Sequence, residues 1–323
     1  MNEKTKWWPT AELATLQLRA KLLNQIRTFF LERDVLEVET PIFTQSGSTE
    51  VHLDQFVTQV DQSHQSFSLN TSAELAMKRL LAAGYGDIYQ ISKVFRANEL
   101  GSRHEPEFSM LEWYRVGFTM NDLLKEVDDL LTSVLGKHLK QTSEVKSYQQ
   151  TFLEILELDP LDVSVDELKA IYKQQKGYDA PELDEKQAYL GLIMSELIEP
   201  EFAKDRLTFI THYPAEQASL ARINKSDHRV AERFEVFAGG LELGNGFYEL
   251  KDVEEQKRRM CEENLRRTQL GKPEVKPDPL FCAALEHGLP DCSGIAIGID
   301  RLVMLEANKN SIQDVKSFST SNA

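Results

Sequence analysis

With 323 residues the chain has room for one large domain or two ordinary ones, and for a sizeable core. Its 52 Asp and Glu against 37 Lys and Arg give a formal charge of −15, which argues against broad contact with nucleic acid, since phosphate neutralisation needs clustered cations. Three cysteines without a CxxC pair build no disulfide framework, and neither an apolar leader nor a run near the ~18 residues of a membrane span is present, so a cytoplasmic protein with no membrane contact is expected.

The segment 11–33 places Leu13, Leu16, Leu22, Leu23, Ile26, Phe29 and Phe30 at roughly helical spacing, which predicts a long amphipathic helix. It leads into an alternating strand, 35–41, ended by Pro41 and therefore suited to a sheet edge or an interface. Helix and strand either pack within one chain or pair with a second copy. Short strands are expected across 51–69, joined at 61–64. A helix over 71–84 follows, with Thr71 or Ser72 as its cap and Gly84 at its end. Glu74 and Lys78 are spaced to pair on a helix surface, or Ser72 and Glu74 face a pocket.

Strands are expected at 87–95 and 107–116. In the second, Phe108, Met110, Glu112 and Tyr114 share a face by period 2, and a carboxylate among aromatics there needs a partner. The polar loop between them gathers Arg96, Arg103 and His104, read as an anion-binding loop or a set of salt bridges. From about 121 to 205 the chain reads as helical and acidic, with no chemistry visible, and is taken as scaffold or insertion. A strand begins at Arg206.

Glu235–Glu249 reads EVFAGGLELGNGFYE, two alternating runs about Gly239-Gly240, which predicts a β-hairpin. If Ala238 pairs with Leu241, Glu235 lies opposite Gly244 and on the same face as Glu242. A bulge expected at Gly244-Asn245-Gly246 would bring Asn245, Phe247 and Glu249 onto that face as well. Such a surface is either a solvated acidic hairpin or a cation site. After a charged helix over 250–267, Gly294, Ala296 and Gly298 leave one face of a strand bare before a helix opening at Asp300-Arg301. The bare face admits either close strand–helix packing or a large ligand.

These segments resemble the catalytic core of class II aminoacyl-tRNA synthetases, and of lysyl-tRNA synthetase in particular. Glu37-Val-Glu-Thr-Pro41 is similar to motif 1, Phe95-Arg96 through Glu107-Phe108 to motif 2, Gly298-Ile-Asp-Arg301 to motif 3, and Leu241–Glu249 to the lysine-type signature. The motif 1 helix starts within the first dozen or so residues, so no anticodon-binding domain and no tRNA anticodon contact are expected. The chain therefore looks closer to the truncated paralogs that attach (R)-β-lysine to translation elongation factor P. His228–Phe234, Pro290–Gly294 and Ala296, where the synthetase usually has glycine, agree with that. Two positions depart from the family: Asn98, followed by Glu99, stands where motif 2 commonly has Glu, and Glu105 stands where Asn is usual.

The resemblance implies an α+β fold, an antiparallel sheet of about six strands flanked by helices, forming one catalytic domain over 1–323 that is usually a homodimer through motif 1. It implies ATP and Mg²⁺ as cofactors, and activation of an amino acid carboxylate followed by amide formation on an acceptor amine. Arg96 and Arg301 would hold phosphates and act in catalysis. Phe108 would stack on adenine, with Asn98, Glu99, His104, Glu105, Leu243 and Gly298 around the nucleotide. Glu235 and Glu242 would hold Mg²⁺. Glu249 and Tyr114 would take the ε-ammonium, Glu112, Asn245 and Phe247 would line the slot, Ser72 and Glu74 would receive the other amino group, and Ala296 would trim the floor. Rival readings are a ligase charging tRNA or a small acceptor, and a non-catalytic regulatory paralog.

Overall fold

Eleven strands and nine α-helices are resolved in a computed structural model, which describes residues 7–59 and 66–323; the joining turn expected at 61–64 lies outside those residues. The strands are β1 (Leu36–Glu37), β2 (Phe43–Thr44), β3 (Val57–Gln59), β4 (Ser66–Leu69), β5 (Ile88–Phe95), β6 (Glu107–Val116), β7 (Glu144–Ser147), β8 (Thr208–Thr211), β9 (Arg233–Ala238), β10 (Leu241–Tyr248) and β11 (Cys292–Gly298). The helices are α1 (Leu13–Leu31), α2 (Glu74–Ala82), α3 (Met120–Leu135), α4 (Tyr148–Leu156), α5 (Val165–Lys176), α6 (Lys186–Ile193), α7 (Val253–Gln269), α8 (Pro279–Gly288) and α9 (Ile299–Glu306).

The fold is α+β, with a large mixed sheet in the order β1-β5-β6-β11-β10-β9-β8-β7 and a small sheet β2-β4-β3. The six central strands, β5 to β8 in that order, are antiparallel, as expected. The segment 35–41, expected at a sheet edge or an interface, does supply an edge strand, but β1 runs parallel to β5, and β7 lies parallel to β8 on the other edge, neither of which the expected antiparallel sheet included. β1 is shorter than the alternating segment: Leu36 and Glu37 pair with β5, and the Val38 N–H still donates to the Tyr89 carbonyl at 2.9 Å.

Alternation along the central strands divides the sheet into two faces. Leu111, Trp113, Ile295, Ile297, Phe234 and Val236 point to the back and meet α1, α3 and α9 in the main core. α3 belongs to this core: its capping box at Thr119 and Asp122 starts a helix whose buried stripe includes Leu123, Val127, Leu130, Leu131 and Val134. Only α4, α5 and α6, further along the acidic segment, form a separate cluster, and they reach the front face at Ile210, Tyr213 and Phe237. At the opposite end of the front face, Ile88, Tyr114 and Cys292 pack with α2 and α8.

Candidate active site

The front face is assembled by strand register. Gln90, Glu112, Ala296, Asn245 and Glu235 lie side by side across five strands, and in the next row Ile88, Tyr114, Gly294, Phe247 and Arg233 do the same. The bare stripe of β11 is thus the floor between Glu112 and Tyr114 on one side and Asn245 and Phe247 on the other. A Cβ on Gly294 would stand 2.3 Å from the Tyr114 ring, so the strand must be bare there for the aromatic to lie down. Gly298 differs, since a Cβ there would meet only Arg301 carbons, at 3.7 Å, and the space above it is open.

The hairpin forms at Gly239 and Gly240, both with positive φ, and Ala238 pairs with Leu241. The bulge comes earlier than expected, between Glu242 and Gly244, so that Glu235 pairs with Asn245 rather than Gly244. The extra residue is Leu243, whose side chain turns into the main core and gives the ladder its hydrophobic reason to slip at that point. The slip leaves Glu235, Glu242, Asn245, Phe247 and Glu249 on the front face.

Two adjoining cavities share Arg96, Met110, Asn245 and Ala296. The larger, of about 680 Å³, takes in Ser72, Glu74, Glu112, Tyr114, Phe247, Glu249 and Gly294. The smaller, of about 120 Å³, takes in Glu99, His104, Phe108, Glu242, Leu243, Gly298 and Arg301. The structure therefore brings together nearly all of the expected residues, from segments more than 200 positions apart, at one seam.

In the larger cavity the acids are deeply buried. Glu112 accepts from Tyr114 OH at 2.7 Å, from Ser72 Oγ at 3.2 Å and from the Ala73 backbone N–H at 3.1 Å. Burial and the nearby Glu74 nevertheless push its carboxyl up to about 7. Ser72 is not a simple helix cap: its hydroxyl accepts from the Glu74 N–H while reaching to Glu112, so both readings of that residue apply. Glu74 and Lys78 do pair, at 2.6 Å, but inside the protein, and the ammonium also lies 2.5 Å from Glu249. Burial acts to raise Glu249 and Lys78 acts to lower it, while the other oxygen of Glu249, Oε1, is enclosed with no hydrogen-bond partner among the described residues. Asn245 Oδ1 is likewise enclosed and unpartnered among them.

The smaller cavity gathers three guanidinium groups, Arg96, Arg103 and Arg301, among the carboxylates of Glu99, Glu105, Glu242 and Asp300. Arg96 lies 5.2 Å from the Phe108 ring centroid and 3.8 Å from Glu99, and its Nε has no partner among the described residues. Arg301 donates to the Glu242 carbonyl at 2.6 Å and sits 2.9 Å from His104, whose imidazole burial and that guanidinium hold below its usual range. Asp300 fixes this corner from behind, accepting from Arg19 at 2.7 Å and from the Ser109 N–H at 2.6 Å.

Glu235 is half-buried and accepts from Tyr213 OH at 2.6 Å and Arg233 at 2.7 Å. Burial, and then Glu242, raise its carboxyl above the ordinary range, and burial with the same two acids carries Glu199, in the turn after the helical cluster, up to about 7. The repulsion among these acids is of the kind a divalent cation relieves. No group of three or more His, Cys, Asp or Glu suited to a metal occurs among the described residues, but Mg²⁺ ordinarily takes only one or two carboxylates and completes its shell with phosphates and water.

One expected residue is placed elsewhere: Asn98, in a left-handed backbone conformation, sits 3.4 Å from Asp54 and lines a separate cavity with Arg267 and Lys272. Glu105 borders the smaller cavity, and its carboxylate, fully buried, accepts from Lys316 at 3.0 Å and from the Thr320 N–H at 2.9 Å, which ties the C-terminal segment to that corner. Sequence reasoning missed Lys78 as a buried group and missed Tyr213, Arg233 and Glu199. Arg233 was within reach, because it lies two residues before Glu235 on the same strand face.

A family model for tRNA synthetases of class II (D, K and N) matches residues 9–322. The elongation factor P–(R)-β-lysine ligase of Mannheimia succiniciproducens is 45% identical over 327 residues, covering 100% of both chains. The ligase of the same name from Pasteurella multocida is 44% identical over 100% of both chains, and that of Proteus mirabilis 46% identical over 98% of each.

Proposed function

The chain belongs to the class II tRNA synthetases (D, K and N), and from that premise we propose that it activates (R)-β-lysine with ATP and transfers it to a lysine ε-amine of elongation factor P. The observation that carries the reading is a pair of enclosed, unpartnered acceptors, Glu249 Oε1 and Asn245 Oδ1, on residues that both line the larger cavity. Buried acceptors of this kind need a donor, and an alkyl ammonium supplies up to three. Arg96, shared by both cavities, puts a cation where a substrate carboxylate and the α-phosphate would meet.

In the first step a carboxylate oxygen of β-lysine bonds to the α-phosphorus and pyrophosphate leaves. Arg96 and Arg301 stabilise the charge that collects on phosphoryl oxygens, and the slot holds the nucleophile in line. Phe108 offers a face for adenine, His104 and Glu99 border the phosphates, and open space over Gly298 admits the ribose. Glu235 and Glu242 would hold Mg²⁺, which would offset charge between nucleotide and acids. In the second step the acceptor amine attacks the carbonyl carbon, loses a proton and expels AMP. Glu249, Tyr114 and Asn245 receive the terminal ammonium, and Glu112 with Ser72 and Glu74 the other. The cytoplasm is the compartment of these substrates. A homodimer through α1 and β1 accounts for the exposed Leu13, Leu31 and Leu36 along that side.

ATP–pyrophosphate exchange with (R)-β-lysine and with α-lysine, followed by mass measurement of elongation factor P and of bulk tRNA, tests the proposal. Exchange favouring β-lysine and added mass on the factor are expected. Exchange with no diamino acid, or mass appearing on tRNA alone, would overturn it.

A further inference from the structure

Lys78 touches none of the space that the substrate would fill, yet it is bound more tightly into the slot than any group that does. Its ammonium enters from beneath, through α2, and is held 2.6 Å from Glu74 and 2.5 Å from Glu249 with the side chain only 1% exposed. We infer that Lys78 is a built-in counterion of the amino-acid slot, a positioning residue that keeps Glu74 and Glu249 ionised and in place for the ammonium groups of the ligand. The inference rests on the reading of this cavity as the amino-acid site.

Lys78 meets two of the slot's acids, Glu74 and Glu249, while the cations that line the same cavity, Arg79, Arg96 and Lys276, make no ion pair with either among the described residues. A carboxylate buried without a cation is costly, so an internal ammonium lets the slot keep these acids in place before any ligand arrives. Glu112 has only neutral donors, Ser72, Tyr114 and the Ala73 N–H, and Glu249 keeps one oxygen unpartnered among the described residues. These are the acceptors left for the ammonium groups of a ligand.

The groups facing Lys78 are Glu74 on α2, Glu249 after β10 and Cys292 on β11; Glu112 and Tyr114 on β6 stand beyond those two acids, and Glu50 beyond Glu74. Burial raises the carboxyls, Glu112 to about 7, so the empty slot holds protons near neutrality. Ammonium groups favour the ionised acids, so binding releases those protons and weakens as pH falls below about 7. Without Lys78 its two acids lose their counterion, rise further, and move that limb to higher pH.

The test compares wild type, Lys78→Met and Lys78→Arg. Putrescine and (R)-β-lysine binding is followed by calorimetry in buffers of different ionisation heat, and kcat/KM for pyrophosphate exchange is followed against pH. Lys78→Met is expected to raise the acid limb by about one pH unit or more, to release more protons per ligand bound and to weaken both ligands at least about tenfold, with ATP binding unchanged. Lys78→Arg keeps the wild-type limb. A folded Lys78→Met protein with the wild-type limb and proton release would overturn the inference. Should that variant fail to fold, wild type decides: binding of putrescine near pH 7 without proton release would equally overturn it. Putrescine has no carboxylate to activate, so its titration judges Lys78 even if β-lysine proves not to be the substrate, an outcome that exchange alone reports.

Discussion

The two cavities of the front face are built in opposite ways. Around the amino-acid slot the charged groups are enclosed and already engaged with one another: Lys78 between Glu74 and Glu249, and Glu112 under Tyr114 and Ser72. Around the smaller cavity the guanidinium groups are partly exposed and make only long contacts to carboxylates, Arg96 3.8 Å from Glu99 and Arg301 3.7 Å from the Glu242 carboxylate, while Arg301 is anchored instead on the Glu242 carbonyl and His104. A slot whose geometry is fixed in advance discriminates between similar amines, because a ligand of the wrong length leaves a buried charge unpaired. Guanidinium groups not spent on carboxylates are free to meet phosphoryl oxygens. On the proposed reading, selectivity would reside in the buried half and rate in the exposed half.

The contrast can be broken most severely at the arginines. Arg96→Ala and Arg301→Ala are each expected to lower kcat for pyrophosphate exchange by roughly 100- to 1,000-fold, the usual effect of removing one donor to transition-state charge. Calorimetry should meanwhile find β-lysine binding to the free enzyme little changed by Arg301→Ala. A loss of amino acid affinity as large as the loss of rate would show that the two halves are not separate.

At the buried half, Glu249→Gln exchanges a charged acceptor for a neutral one and forfeits ~1.5–3 kcal/mol of charge-assisted hydrogen bonding. KM for β-lysine should rise roughly tenfold or more while the Kd for ATP stays in place, and unchanged activation kinetics would remove Glu249 from the site.

The gentlest change is Ala296→Gly. Ala296 lies between Glu112 and Asn245 on the floor, and its methyl is worth ~1–3 kcal/mol of discrimination. The ratio of kcat/KM for β- over α-lysine is expected to fall by roughly tenfold, with kcat for β-lysine nearly kept. A ratio that does not move would make Ala296 ordinary packing.

Local signals in the chain were enough for the hairpin, the bare stripe 294–298 and the sharing of one face by five residues of 235–249, because each follows from period-2 alternation and from glycines at fixed points, whereas the antiparallel run of strands was expected only from the family resemblance. The exact step of the bulge did not, since it depends on where the Leu243 side chain finds the core. Nor did the fates of Asn98 and Glu105, whose partners Asp54, Lys316 and Thr320 lie 44, 211 and 215 positions away.

What the sequence determined by itself was therefore the kind of surface: which acids, arginines and small residues face one way, and the class of ligand such a surface invites. Only the tertiary structure decided which of those charges are buried and which are spent on one another. The spacing of Glu74 and Lys78 is the same on an exposed helix or a hidden one, and burial is a property of what α8 and β11 place over it. Desolvation makes the difference: in water that pair would contribute a few tenths of a kcal/mol, whereas enclosed beside Glu249 the ammonium is shared between two acids of the slot.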